Sequence, residues 1–142
     1  MSLQGKVAVI TGGSRGIGGA CSKLLAARGA RVVLSYLNNK ERAENLVAEI
    51  AAAGGEAQAV QADARDAEQI NRFIGQAYER YQRVDVLVSN APAGFADRSF
   101  GEISWDEYGF VVNNCYLSRE IKSEGGALRL SPATNTTSQR EQ

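Results

Sequence analysis

Thr11-Gly12-Gly13-Ser14-Arg15-Gly16-Ile17-Gly18 is the stretch from which the rest of the chain can be read. It follows a short apolar run, Lys6 to Thr11, of the kind that forms a strand buried on both faces of a parallel sheet. After it, Ile17, Ala20, Cys21, Leu24 and Leu25 fall at i, i+3, i+4, i+7 and i+8. That spacing predicts a helix with this stripe turned inward, which makes Cys21 a core residue and not a reactive thiol. Gly29 is placed to cap the helix.

The same alternation continues outward. Arg31 to Tyr36 is a second apolar run, followed by a helical stripe at Ala43, Leu46, Val47, Ile50 and Ala51 that stops at Gly54-Gly55. Glu56 to Gln61 predicts a weaker third strand. Asp66-Ala67-Glu68-Gln69 has the spacing of a capping box, and Ile70, Phe73, Ile74, Ala77, Tyr78 and Tyr81 share one face of the helix it opens. Val84 to Ser89 is a fourth strand, and Ser104-Trp105-Asp106-Glu107 predicts the start of a fourth helix. Strands and helices joined by short connections imply an α/β fold: a Rossmann-like, doubly wound parallel sheet with right-handed crossovers. The pattern stops after the fourth βα unit, where the fold reads as truncated. Residues 1–121 are expected to form the domain, and the polar segment 122–142 a mobile tail.

Composition narrows the function. The chain has 142 residues, 44% hydrophobic and 23% charged, which is ordinary for one globular domain. Its 16 basic and 16 acidic residues cancel, which argues against a nucleic-acid or anionic-membrane partner. There is no histidine, so His triads, His metal ligands and His proton shuttles are excluded. Two cysteines, Cys21 and Cys115, make neither a disulfide framework nor a zinc cluster, and no metal site is expected. No stretch resembles a signal peptide or a membrane span, which favours the cytoplasm.

A glycine-rich turn between a strand and an amphipathic helix serves three physical ends. It permits a tight turn, lets backbone approach a pyrophosphate, and lets the helix pack close to the strand. The helix N-terminus adds free N–H groups and a positive dipole end. The turn therefore points to dinucleotide binding through Gly12, Ser14, Arg15, Gly16, Ile17 and Gly18. An acid at the end of the second strand would bond the 2′-hydroxyl of NAD, but Ser35-Tyr36-Leu37 carries none. Arg15 and Lys40 could instead neutralise a 2′-phosphate, so NADP(H) is the expected cofactor, with Tyr36 beside it.

Thr11 to Gly18 resembles the TGxxxGxG cofactor motif of the short-chain dehydrogenase/reductase family. Asp63 after the third strand, Asn90-Ala91 after the fourth and Asn113 after Trp105 follow in the family's order, so the similarity covers about residues 3–116. The texture is similar to 3-oxoacyl- and enoyl-acyl-carrier-protein reductases, which places the chain in fatty acid metabolism. The resemblance implies that Asp63 and Ala64 shape the adenine pocket and that Asn90 and Ala91 lie under the ribose. It also implies an oxidoreductase that transfers hydride between nicotinamide and a ketone or enoyl thioester, assembled as a homo-oligomer in its full-length form. The family's chemistry uses a serine, a YxxxK tyrosine and lysine, and an asparagine on the fourth helix, for which Asn113 is the candidate.

Nothing after Asn113 supplies the serine or the YxxxK pair, so this chain alone is expected to be inactive. Tyr36 and Lys40 form such a string, but at the end of the second strand, beside the adenosine end of the cofactor. Trp105 to Asn113 spans eight residues, one more than is usual in the family, which turns a helical side chain by about 100°. The alternative reading is a non-catalytic dinucleotide-binding or interaction fragment.

Overall fold

A computed structural model describes residues 2–91 in full, and the backbone of the strand segments 121–124 and 127–130. The expected fourth helix, Cys115 and Asn113 lie outside the described residues.

Seven elements form the described α/β unit: β1 (Val7–Ile10), α1 (Gly16–Ala27), β2 (Arg31–Tyr36), α2 (Lys40–Ala52), β3 (Glu56–Gln61), α3 (Ala67–Tyr81) and β4 (Val86–Val88). The sheet is parallel throughout, in the order β3-β2-β1-β4. The all-apolar runs have the expected cause. Val7 to Ile10 and Val32 to Leu34 are fully buried, because helices cover both faces of these strands.

Alternate residues face opposite layers. Ile10, Val32, Leu34 and Tyr36 pack with Ala26 of α1 and Ala43, Leu46 and Ile50 of α2. Val9 and Val33 pack with Ile70, Phe73, Ile74 and Ala77 of α3 on the other side. The sheet is thus wound on both faces, and β1 lies at its centre, where the chain order reverses between β2 and β4.

Local signals set the helix starts. Asn39 accepts the Arg42 N–H at 2.9 Å to cap α2. Asp66 accepts from the Glu68 and Gln69 N–H groups to cap α3. The expected box is varied here: Gln69 Nε2 donates to the Asp66 carboxylate, while its Oε1 accepts the Asp63 N–H. At the lower end of the sheet, Asp85 accepts the Val7 N–H at 2.9 Å and pairs with Arg83 and Lys6. Those bonds hold its carboxyl well below the usual range, led by Arg83.

Helix α1 departs from the expected facing. Ile17 is 79% and Leu24 52% exposed, and Ala20 is exposed as well. The buried residues are Gly18, Gly19, Ser22 and Ala26, with Cys21 and Leu25 half-buried against the core. The inward face is rotated by about one residue, roughly 100°. The reason is volume. A Cβ on Gly18 already meets Asn90 Nδ2 and the Gly12 carbonyl, and one on Gly13 would lie 3.0 Å from Ser22 Oγ, so this face of the helix has room for small residues and not for Ile17 or Leu24.

The segment read from composition as a tail contains regular structure. β5 (Ile121–Glu124) and β6 (Ala127–Leu130) pair antiparallel, with Glu124 opposite Ala127. In sequence a Gly125-Gly126 pair separates them, a recognised hairpin signal.

Candidate functional site

The strand ends build a cleft of about 760 Å³ at the carboxyl edge of the sheet. Gly12, Ser14, Arg15, Gly16 and Ile17 enter it after β1, and Ser35, Tyr36 and Leu37 from the end of β2. Ala62 to Arg65 follow β3, Asn90 and Ala91 follow β4, and Arg42 reaches it from the first turn of α2. The cleft stands where strand order reverses, the place at which open α/β sheets bind ligands.

Every expected cofactor residue except Gly18 and Lys40 lines this cleft. Gly18 lies beneath it: a Cβ there would run into Asn90 Nδ2 and the Gly12 carbonyl. Asn90 is the strut between the β1 loop and β4. Its Nδ2 donates to the Thr11 and Gly12 carbonyls at 3.1 Å, and its own N–H and that of Ala91 donate to Thr11 Oγ1 at 3.0 and 3.1 Å. Thr11 therefore holds the turn from the β4 side.

The turn itself is left-handed at two glycines. Gly12 has φ +62°, and a Cβ would press within 3.0 Å of Ala91 Cα. Gly16 has φ +53°, and the space beside it is open to the cleft. Ser22 Oγ lies 2.9 Å from both the Gly13 and Gly18 carbonyls, and its one proton is shared between them. The loop is thus pinned to α1 from within.

Helix α1 begins with unspent donors. Its first intrahelical bond runs from the Gly19 N–H to the Arg15 carbonyl, and no side chain caps it. The N–H groups of Gly16, Ile17 and Gly18 therefore have no intrahelical acceptor, and the positive dipole end meets the cleft wall. Backbone donors at a helix start, with open space at a glycine, form a cradle that fits a phosphate group.

Charge sharpens the fit. Three arginines (Arg15, Arg42 and Arg65) and one carboxylate (Asp63) line the cleft, a local excess of two positive charges. Asp63 is committed to Arg65: Oδ1 accepts the Arg65 N–H and Nε at 2.9 Å, and Oδ2 accepts Nη2 at 2.7 Å. Those bonds lower the Asp63 carboxyl to about 2, led by the guanidinium hydrogen bond. Arg15 and Arg42 form no ion pair among the described residues.

One expectation needs amendment. Lys40 does not line the cleft; its amine pairs with Glu44 at 3.5 Å on the outer face of α2. The cation two residues further on, Arg42, takes the position instead, because its place at the third helical residue turns it toward the β2 end. The Tyr36–Lys40 string, set aside from the sequence, is no catalytic pair on one helix: Tyr36 ends β2 and Lys40 opens α2. Site residues that the spacing left unmarked are Ser35, Leu37, Arg42, Ala62 and Arg65. Only Arg42 carried a signal, as a second cation after β2.

Comparison with known proteins agrees with this geometry. Versicolorin reductase of Emericella nidulans is 39% identical over 147 residues, covering 96% of this chain and 54% of that protein. That coverage reaches well into residues 122–142. The 3-oxoacyl-[acyl-carrier-protein] reductase of Synechocystis is 46% identical over 90 residues, covering 63% of this chain and 36% of that one. A crystal structure of a short chain dehydrogenase from Burkholderia cenocepacia in complex with NADP is 41% identical, with a TM-score of 0.70 over 80% of this chain and 46% of its own. The chain therefore spans about half the length, or less, of the relatives it matches. The sequence pattern of the short chain dehydrogenase family matches residues 6–113, which take in the whole glycine-turn unit and run past β4. With the parallel β3-β2-β1-β4 sheet and the Asn90 strut, this chain belongs to the short chain dehydrogenase family.

Proposed function

We propose that this chain carries the NADP(H) site of an oxidoreductase that reduces a ketone or an enoyl thioester. One observation carries the reading. The uncapped start of α1 faces a cleft in which Arg15 and Arg42 have no acidic partner among the described residues, and β2 ends in Tyr36 with no carboxylate.

The uncapped donors of Gly16, Ile17 and Gly18 would take the pyrophosphate, with Gly16 lacking the side chain that would otherwise obstruct it. Asp63 and Ala64 would form the adenine wall, with the Asp63 carboxylate kept ionised and oriented by Arg65. Arg15 and Arg42 would take a 2′-phosphate, since guanidinium groups bind phosphate oxygens in paired, charge-assisted hydrogen bonds. An acid at the position of Tyr36 would repel that phosphate, and none is present. The nicotinamide, when bound, supplies or accepts the hydride. Asn113 is proposed for the proton path of the complete active site. We place the protein in the cytoplasm and in fatty acid metabolism, the latter supported by the likeness to a 3-oxoacyl-[acyl-carrier-protein] reductase. No helix among the described residues is long and apolar enough to cross a membrane.

Titration calorimetry tests the reading. NADPH is expected to bind more tightly than NADH, and Arg42→Ala to weaken NADPH about tenfold while leaving NADH unchanged. Tighter binding of NADH by the unsubstituted protein would overturn the cofactor assignment. Turnover of 3-oxoacyl or enoyl thioesters with NADPH supports the reductase, whereas binding without turnover of any carbonyl or enoyl compound favours a non-catalytic dinucleotide binder.

A further inference from the structure

The β4 side of the glycine turn is held by Asn90 and Thr11, but the β2 side has its own attachment. Gly12 donates its N–H to Ser35 Oγ at 3.0 Å, and Gly13 donates its N–H to the Ser35 carbonyl at 3.0 Å. Both donors of the glycine pair therefore end on one residue. Ser35 is only 1% exposed, so little water can take the place of its hydroxyl. It is fixed in turn by β2, whose ladder sets Ser35 opposite Val60.

The consequence is a division of labour within the loop. A run of consecutive backbone N–H groups can itself gather around an anion. Here the first two are spent inward, and the donors at the start of α1 are left for a ligand. The inward pair also sets the left-handed φ of +62° at Gly12, which aims the chain toward Ser14 and the helix start.

We propose that Ser35 is a positioning residue of the dinucleotide site. Its buried hydroxyl anchors Gly12 to β2, and so places the α1 donors where they meet the pyrophosphate. The proposal rests on the dinucleotide reading given above. Its effect falls first on the phosphate-binding turn, which includes Arg15; Asp63 and Arg42, at the adenosine end of the cleft, take no part in the Gly12–Ser35 bond.

Calorimetric titration of NADPH and of adenosine 2′-monophosphate, which lacks the pyrophosphate, separates the two ends. Ser35→Ala is expected to weaken NADPH about tenfold, the effect of one lost hydrogen bond, and to leave adenosine 2′-monophosphate within about twofold. Ser35→Thr, which keeps the hydroxyl, is expected to restore NADPH affinity. Amide exchange without ligand supplies a second readout: Ser35→Ala should speed exchange at Gly12 and spare Gly13, whose acceptor is the backbone carbonyl. Equal NADPH affinity in Ser35→Ala and the unsubstituted protein overturns the proposal, as does an equal loss for both ligands. If the unsubstituted protein binds no NADPH, the dinucleotide reading itself fails. If it binds NADPH and the alanine variant matches it, only the role of Ser35 fails.

Discussion

Replacing Gly18 by alanine should be among the costliest single-methyl changes in this protein. The added Cβ would fall against Asn90 Nδ2 and the Gly12 carbonyl, and 3.1 Å from Asn90 Cγ. Neither neighbour yields easily. The carbonyl belongs to the left-handed turn, and the amide is tied to the Thr11 and Gly12 carbonyls at 3.1 Å. Swinging Asn90 aside forfeits two hydrogen bonds of about 1 kcal/mol each. Residual overpacking adds about 1–3 kcal/mol, and better helix propensity returns about 1 kcal/mol. The net expectation is a loss of about 2–4 kcal/mol, a large share of the roughly 5–15 kcal/mol that stabilises a typical domain. Urea denaturation followed by circular dichroism measures it. Gly19→Ala is the control: its nearest neighbour would lie at 3.5 Å, an ordinary contact, so it should be neutral or slightly stabilising. A double-mutant cycle then tests the cause, since in an Asn90→Ala background the Gly18→Ala penalty should shrink by about 1–2 kcal/mol. Additive effects, or a Gly18→Ala protein as stable as Gly19→Ala, would refute the steric account.

Two further outcomes are expected. Gly16→Ala should retain the fold at a cost of about 1–2 kcal/mol for a left-handed alanine. The same change should cut NADPH affinity by about tenfold or more, because its methyl enters the open side of the turn where phosphate would approach; unchanged affinity in a titration would remove Gly16 from the phosphate path. Acid stability follows from Asp63, Asp66 and Asp85, all held below their ordinary values, by Arg65, Gln69 and Arg83 respectively. Their folded forms bind protons less readily than the unfolded chain, so the stability they contribute is complete above the unfolded value of 3.8 and is lost as pH falls toward about 2 for Asp63. Urea midpoints should be flat above about pH 5 and fall below about pH 4; a rise in stability across that lower interval would contradict the assigned partners.

The sequence made the sheet legible because its signals are local. Uninterrupted runs such as Val32 to Leu34 mark strands buried on both faces, as in a parallel sheet with helices on each side. Helices α2 and α3 were equally readable, since Ala43, Leu46 and Ile50, and Ile70, Phe73, Ile74 and Ala77, are large or well-spaced apolar residues that do face the core. Helix α1 was not. Periodicity weighs hydrophobicity, whereas the close approach of Gly18 to Asn90 and the Gly12 carbonyl selects for small volume, so Gly18, Ser22 and Ala26 lie inside and Ile17 and Leu24 outside.

The site divides in the same way. The glycine turn, Asp63 and Asn90 announce themselves by type and order along the chain, because a tight turn and a phosphate cradle need glycine wherever they occur. Which donors remain for a ligand is a property of the folded chain. Thr11 meets Asn90 across 79 residues, and Gly12 meets Ser35 across 23. Which cation reaches the cleft is likewise decided by helix geometry: Lys40 and Arg42 are two residues apart, and α2 points one to Glu44 and the other to the strand ends. Residue type and spacing established that a dinucleotide-type turn opens a parallel sheet. The pairing of distant hydrogen-bonding groups, each needing a partner once buried, decided how that turn is held and which charges face it.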